Sequence, residues 1–232
     1  METSLHRQLK HLYAGEGAQQ EVVLDGYRID VVDGSRLIEI QHGSLAAIRD
    51  KVRRLLAGHD VLVVKPIVIR KTIISSRSVG GPIVGRRLSP KRGCLLDAFD
   101  DFVYFTRVFP HPRLAIDLLP VEIEEHRYPG HGRRRRWRRR DHVVADQTLV
   151  TAGRPVRLTE ARDLVKILDV ELPTPFHTGD LAERLGRARS TAQQIAYCLR
   201  QTGAICTVGK QRNTLIYELA APPVVRRRKR AA

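Results

Sequence analysis

The chain has 232 residues, with 41 Lys and Arg against 25 Asp and Glu, and a formal net charge of +16. At 42% hydrophobic and 28% charged residues it reads as globular, which excludes a disordered or collagen-like chain. No apolar run approaches the roughly 18 residues of a membrane span, and the first residues lack a basic start and an apolar signal core, so neither a membrane nor secretion is expected.

Residues 4–14 read as a helix. Leu5, Leu9, Leu12 and Tyr13 recur at i, i+4, i+7 and i+8, and Thr3 or Ser4 can cap it. Three short strands are expected at 21–24, 27–32 and 36–41. Asp25-Gly26 is a hairpin dipeptide, and Gly34-Ser35 suits a two-residue type II′ turn. Residues 44–57 form a second helix, with Leu45, Ile48, Val52, Leu55 and Leu56 on one face, Ser44 as cap and Gly58 beyond its end. The apolar runs 61–64 and 66–69 read as a buried strand. A strand, a helix and a strand in this order make a crossover, so the third and fourth strands should be parallel. The order to this point is αβββαβ.

Residues 75–93, rich in Ser, Gly and Arg, read as a loop. Residues 95–107 read as a helix, and 121–128 with 133–144 as two strands around Pro129-Gly130-His131-Gly132. Further helices are expected at 161–168, at 178–185 with Thr178 as cap, and at 190–202 with Ser190 as cap. Strands follow at 204–208 and 214–219. The fold class is α/β in four parts: a first domain over 1–75, a connector with a helix and a basic β-hairpin over 76–157, a domain over 158–221, and a disordered basic tail over 222–232.

The three cysteines (Cys94, Cys198, Cys206) have no paired spacing and read as reduced cytosolic thiols. His111, His126 and His131 lack metal-ligand spacing, and no phosphate-binding glycine loop or nucleophile elbow is present. The positive charge is clustered. Arg133, Arg134, Arg135, Arg136, Arg138, Arg139 and Arg140 form one group, and Arg226, Arg227, Arg228, Lys229 and Arg230 another; these twelve positives removed, the net charge is +4. Clustering points to a polyanion, most often nucleic acid, with biased coding composition as the alternative. If 129–132 are the turn, Tyr128 pairs with Arg133, Glu125 faces Arg136 and Glu122 faces Arg139, so some arginines satisfy cross-strand ion pairs. Trp137 reads as a packing residue.

Asp30, Glu39 and Gln41 carry the enzymatic signal. A hairpin turning at Gly34-Ser35 pairs Asp33 with Arg36 and, counting outward, Asp30 with Glu39. Two carboxylates opposite one another destabilise a hairpin by up to about 1 kcal/mol unless a cation lies between them. Hard oxygen ligands of this kind suit Mg²⁺. The competing reading is a solvated polar face, with Ile29, Val31, Ile38 and Ile40 inward and Asp30, Glu39 and Gln41 in water.

The αβββαβ order, with Ile29-Asp30 on the second strand and Glu39-Ile40-Gln41 on the third, resembles the PD-(D/E)XK nuclease superfamily over residues 2–70, most closely its small Holliday-junction-resolvase-like members. The resemblance implies that Asp30 and Glu39 bind a catalytic Mg²⁺ (or Mn²⁺), that Glu2 on the first helix joins the site on the face of His6, Leu9 and Tyr13, and that the protein is a homodimer. The lysine that positions water in that family is replaced by Gln41, which can orient water but not take its proton. Lys51 on the second helix, or Lys65 on the fourth strand, would have to supply the missing charge.

Residues 176–219 resemble a winged helix-turn-helix domain. The third helix would then enter the major groove, presenting Arg189, Gln193, Gln194 and Arg200, and Lys210 and Arg212 would sit on the wing. With Arg134, Arg136 and Arg138 these are the candidate DNA contacts. The expectation is a cytoplasmic, nucleoid-associated protein that binds double-stranded or branched DNA and cleaves it with Mg²⁺. A catalytically inactive DNA-binding regulator and an RNA-binding or RNA-processing protein are the alternatives.

Overall fold

The computed structural model describes residues 2–130 and 142–221. The first helix, α1 (Ser4–Tyr13), is capped by Thr3, whose side chain accepts from the His6 N–H at 3.3 Å. β1 (Gln19–Leu24), β2 (Tyr27–Asp33) and β3 (Arg36–Ile40) form an antiparallel meander, and Asp33 pairs with Arg36, Val32 with Leu37 and Val31 with Ile38, as the turn residues require. The single helix expected over 44–57 is instead a 3₁₀ turn (Leu45–Ala47), capped by Ser44, followed by α2 (Arg49–Leu55). β4 (Asp60–Ser76) lies parallel to β3, from Arg36–Asp60 to Ile40–Val64, and completes the crossover.

The middle of the chain departs from expectation. Residues 75–93 are not a loop throughout, because β4 runs on to Ser76 and β5 (Ile83–Leu88) pairs back on it antiparallel. Every residue of β5 is exposed, so it has no buried face to write an alternating pattern into the sequence. The helix expected over 95–107 shrinks to a 3₁₀ turn (Leu95–Ala98) and the single turn of α3 (Phe99–Phe102). β6 (Leu114–Pro129) runs parallel to β4, and β7 (His142–Ala152) returns antiparallel to β6.

The predicted register of this last hairpin is wrong. Tyr128 pairs with Val143, Glu125 with Gln147 and Glu122 with Thr151, because the connection leaves the ladder only at Pro129–His142. Glu125 meets Lys71 and Arg127. Arg134, Arg136, Arg138, the rest of that arginine run, Trp137 and the tail 222–232 lie outside the described residues.

Together with β8 (Val156–Leu158), these strands make a mixed sheet of order β1-β2-β3-β4-β6-β7, with β5 added on β4 and β8 on β6. α1 covers one face: Leu5 and Leu9 pack among Val31, Ile38, Ile40, Leu62, Val64 and Val121. The other face carries Leu37, Val61, Val63, Ile116 and Leu118 under α2 and α3. The same apolar cluster continues into α4 (Asp163–Lys166), α5 (Thr178–Leu185) and α6 (Arg189–Gln201). A separate hairpin of β9 (Ile205–Gln211) and β10 (Thr214–Leu219) follows. The architecture is α/β, and among the described residues no helix is long and apolar enough to cross a membrane.

Two caps differ from expectation. α5 is capped by His177, not Thr178: the His177 ring accepts from the Asp180 N–H at 3.0 Å, and Asp180 accepts from the His177 N–H at 2.7 Å. Ser190 lies inside the first turn of α6, whose cap is Ala188.

Candidate functional site

β2 turns over at Asp30. Ile29 is buried on the α2 side of the sheet and Val31 on the α1 side, although residues two apart on a regular strand share a face. Opposite, Glu21 of β1 adopts a left-handed φ of 59° between the pairs Gln20–Val31 and Val22–Ile29. The twist aims Asp30 at α1. Its Oδ1 lies 3.1 Å from His6 Nε2, and its Oδ2 accepts from the Ile40 N–H of β3 at 2.8 Å. A local alternation pattern could not reveal this, because the pattern itself breaks there.

Glu39 sits beneath this point, one residue before the end of β3. It is 4% exposed, so the solvated-face reading does not hold for it: both faces of the sheet are covered. Lys51 of α2 lies with its Nζ 2.5 Å from Glu39 Oε1, although no hydrogen-bond donor is aligned on that oxygen. Lys51 also donates to the Arg28 carbonyl. Glu2, Thr3, His6, Glu21, Arg28, Asp30 and His42 line an open cleft of ≈ 420 Å³ above. Lys10, one turn beyond His6, reaches Glu2 at 2.6 Å and also Glu21, which pairs with Arg28 in turn.

Gln41 does not enter the cleft. Its Nε2 donates to the Ser44 carbonyl at 2.7 Å and ties down the turn that follows β3. Lys65 of β4 holds the same turn from below. Its ammonium donates to the carbonyls of His42 (3.1 Å) and Gly43 (2.6 Å) and lies 2.7 Å from Asp101 of α3. Lys51 and Lys65, the two lysines named as replacements for the missing charge, are therefore both largely buried, and only Lys51 touches an acid of the pair.

The electrostatics separate the two carboxylates. Burial pushes the Glu39 carboxyl up to about 7; Lys51 opposes the shift and Asp30 adds to it. Burial also works against the charge on Asp30, but His6, the Ile40 N–H and Lys51 outweigh it and hold that carboxyl below its ordinary value. The bond to Asp30 raises His6 against its own burial. His42 goes the other way: burial first, then Lys65 and Lys71, lower its pKa.

Of the residues in this network, the sequence reading includes His6 only as a neighbour of Glu2 on one helical face and leaves out Lys10, Glu21, Arg28 and His42. His6 and Lys10 continue the face of Glu2 at i+4 and i+8, a signal present in the sequence. Glu21, Arg28 and His42 arrive through strand pairing and carry no such signal.

At the C-terminal end, Arg189, Gln193, Tyr197 and Arg200 form one exposed stripe on α6, and Lys210 and Arg212 are exposed on the β9–β10 hairpin, which turns at Arg212-Asn213. Gln194 belongs to the opposite side. Its Nε2 donates to Phe99 O at 3.1 Å and Asp100 Oδ1 at 3.2 Å, docking α6 onto α3, so it is not free to read a base edge. Among the described residues no group of three or more His, Cys, Asp and Glu is placed to hold a metal ion. The smaller pair of Asp30 and Glu39 remains as the candidate.

The family model described as "Domain of unknown function (DUF8091)" matches residues 3–159, from α1 to β8, and so contains all of the acidic network except Glu2. A protein of Treponema pallidum (strain Nichols) named "Uncharacterized protein" is 27% identical over 226 residues, covering 95% of this chain and 86% of the relative. No solved structure matches.

Proposed function

The chain belongs to the family described as domain of unknown function DUF8091, and within it we propose that this protein is a metal-dependent phosphodiesterase of the PD-(D/E)XK type acting on DNA. The observation that carries the reading is the junction of β2 and β3, where Asp30 faces the cleft and Glu39 is buried beside it with Lys51 at 2.5 Å. Burying a carboxylate costs free energy, so Glu39 needs the positive charge that Lys51 places beside it. Support also comes from the chain order: an antiparallel meander, a helical crossover and a parallel strand, with α1 and α2 on opposite faces of the sheet.

The donor set fits Mg²⁺ or Mn²⁺. Two hard carboxylates suffice when water and a substrate phosphate complete the shell, and Glu39 Oε1 is a buried oxygen with no aligned donor. A bound divalent ion supplies Lewis acidity and a more acidic water. The chain's own part is to hold Asp30 through His6 and Ile40, to balance Glu39 with Lys51, and to present the cleft. Glu2 belongs to the cleft through Lys10 and His6. In this reading duplex DNA meets the stripe of Arg189, Gln193 and Arg200 with Lys210 and Arg212, through phosphate contacts and base edges.

Cleavage of plasmid and junction DNA with Mg²⁺ or Mn²⁺ tests the proposal, comparing the wild type with Asp30→Ala and Glu39→Ala. Cleavage by the wild type that either substitution abolishes is the expected result. Metal-independent binding without cleavage would overturn it and leave a DNA-binding regulator. That second reading is favoured by one observation, the engagement of Gln41 with Ser44 outside the cleft.

A further inference from the structure

We infer that His42 is the proton acceptor of the site, taking the proton of the attacking water in place of the family lysine that Gln41 replaces, and that Lys65 is its positioning residue. The inference rests on the phosphodiesterase reading and deepens it.

Most polar groups of the cleft are already engaged. Lys51 is bound to Glu39 and the Arg28 carbonyl, and as an ammonium it donates only. His6 is engaged with Asp30. Glu2 and Glu21 are ion-paired with Lys10. Gln41 is turned onto Ser44. His42 lines the same cleft as Asp30, and its ring makes no hydrogen bond among the described residues. His6 is held at Nε2 by Asp30, a bond that favours its charged form, whereas neither ring nitrogen of His42 is engaged among the described residues.

Its backbone is unusually well held for a residue just past a strand end. The buried ammonium of Lys65 binds the carbonyls of His42 and Gly43, and Asp101 fixes that ammonium while accepting from the Leu45 N–H at 3.3 Å. The charged groups facing His42 come from three elements: Lys65 and Lys71 on β4, Glu125 on β6 and His6 on α1. Burial and the two lysines lower the ring's pKa and so favour the neutral form, the one that accepts a proton.

One O–H bond of water breaks, and its proton passes to the free imidazole nitrogen. The water oxygen forms the new P–O bond as the P–O bond to the leaving sugar oxygen breaks with its electron pair. The leaving oxygen is protonated from solvent, and the imidazolium returns its proton to solvent.

The test uses the full chain and plasmid DNA in single-turnover cleavage from pH 5 to pH 8, comparing the wild type, Asp30→Asn and His42→Gln. His42→Gln is expected to slow cleavage by about 10²- to 10⁴-fold with duplex affinity unchanged, and to remove the acid limb of the pH profile. A second measurement needs no activity: imidazole NMR of the metal-free wild type should show His42 titrating below the ordinary histidine value. Lys65→Met should raise that titration and Lys65→Arg restore it. Cleavage that Asp30→Asn abolishes but His42→Gln leaves intact, acid limb included, would overturn the inference and keep the phosphodiesterase reading. A His42 ring already protonated at pH 7 would overturn it as well. Absence of cleavage by the wild type would overturn both.

Discussion

Replacing Glu39 by Gln should stabilise the metal-free protein at alkaline pH while removing its proposed activity. The magnitude follows from the position of the side chain. Glu39 is 4% exposed, and burial moves its carboxyl from 4.5 to about 7. Between those values the folded state binds more protons than the unfolded one, so this residue's contribution to stability falls as pH rises and levels off above about 7. Between pH 5 and pH 8 the loss is about 2–3 kcal/mol for one group shifted in this way. Gln has the same shape and no titration. The stability difference between Glu39→Gln and the wild type should therefore grow by about 2–3 kcal/mol over that range. His6 and His42 titrate in both proteins and largely cancel in the difference. Urea unfolding in EDTA at pH 5, 6, 7 and 8 measures it. A difference that stays flat with pH would refute the claim that Glu39 is buried at a cost, and with it the main physical support for a functional role.

Lys51→Met should move the midpoint of that pH dependence upward, because Lys51 opposes the protonation of Glu39; the same unfolding series reads the shift. Arg157→Ala should lower stability by about 2–3 kcal/mol, less than a fully buried pair because half of the Arg157 side chain is in water. It strips the paired donors, both at 2.8 Å, from the wholly buried Asp117, while the exposed Arg87→Ala should leave the urea midpoint unchanged. Arg189→Ala with Arg212→Ala should flatten the dependence of log duplex affinity on log salt by about two units, one phosphate contact each; an unchanged slope would mean that a protein, not DNA, meets this face. Gln194→Ala should cost about 1 kcal/mol of stability and leave that slope untouched, since its amide docks α6 on α3.

Elements with strong local chemistry are legible in the residues alone. Thr3 caps α1, Asp25-Gly26 and Gly34-Ser35 turn the β1–β3 meander in the expected register, and the apolar run of β4 makes the parallel partner of β3. Caps and turns act over two to four residues, so one chain is enough to read them. Counting from the two-residue turn gives the β2–β3 ladder as far as Val31–Ile38 but not the expected Asp30–Glu39 pair on one face: Asp30 turns toward His6 of α1, and Glu39 lies beside Lys51 of α2. What surrounds the two carboxylates depends on tertiary packing. β5 was invisible because it buries nothing, and the register of β6 with β7 was lost because their connection is longer than the Pro-Gly signal implied. The burial of Glu39 follows from helices packed on both faces of the sheet, and Lys51, Lys65 and His42 reach the site from separate elements. Whether a carboxylate is solvated or stranded beside an ammonium depends on dehydration by segments distant in the chain. No periodicity in the residues around Glu39 records that.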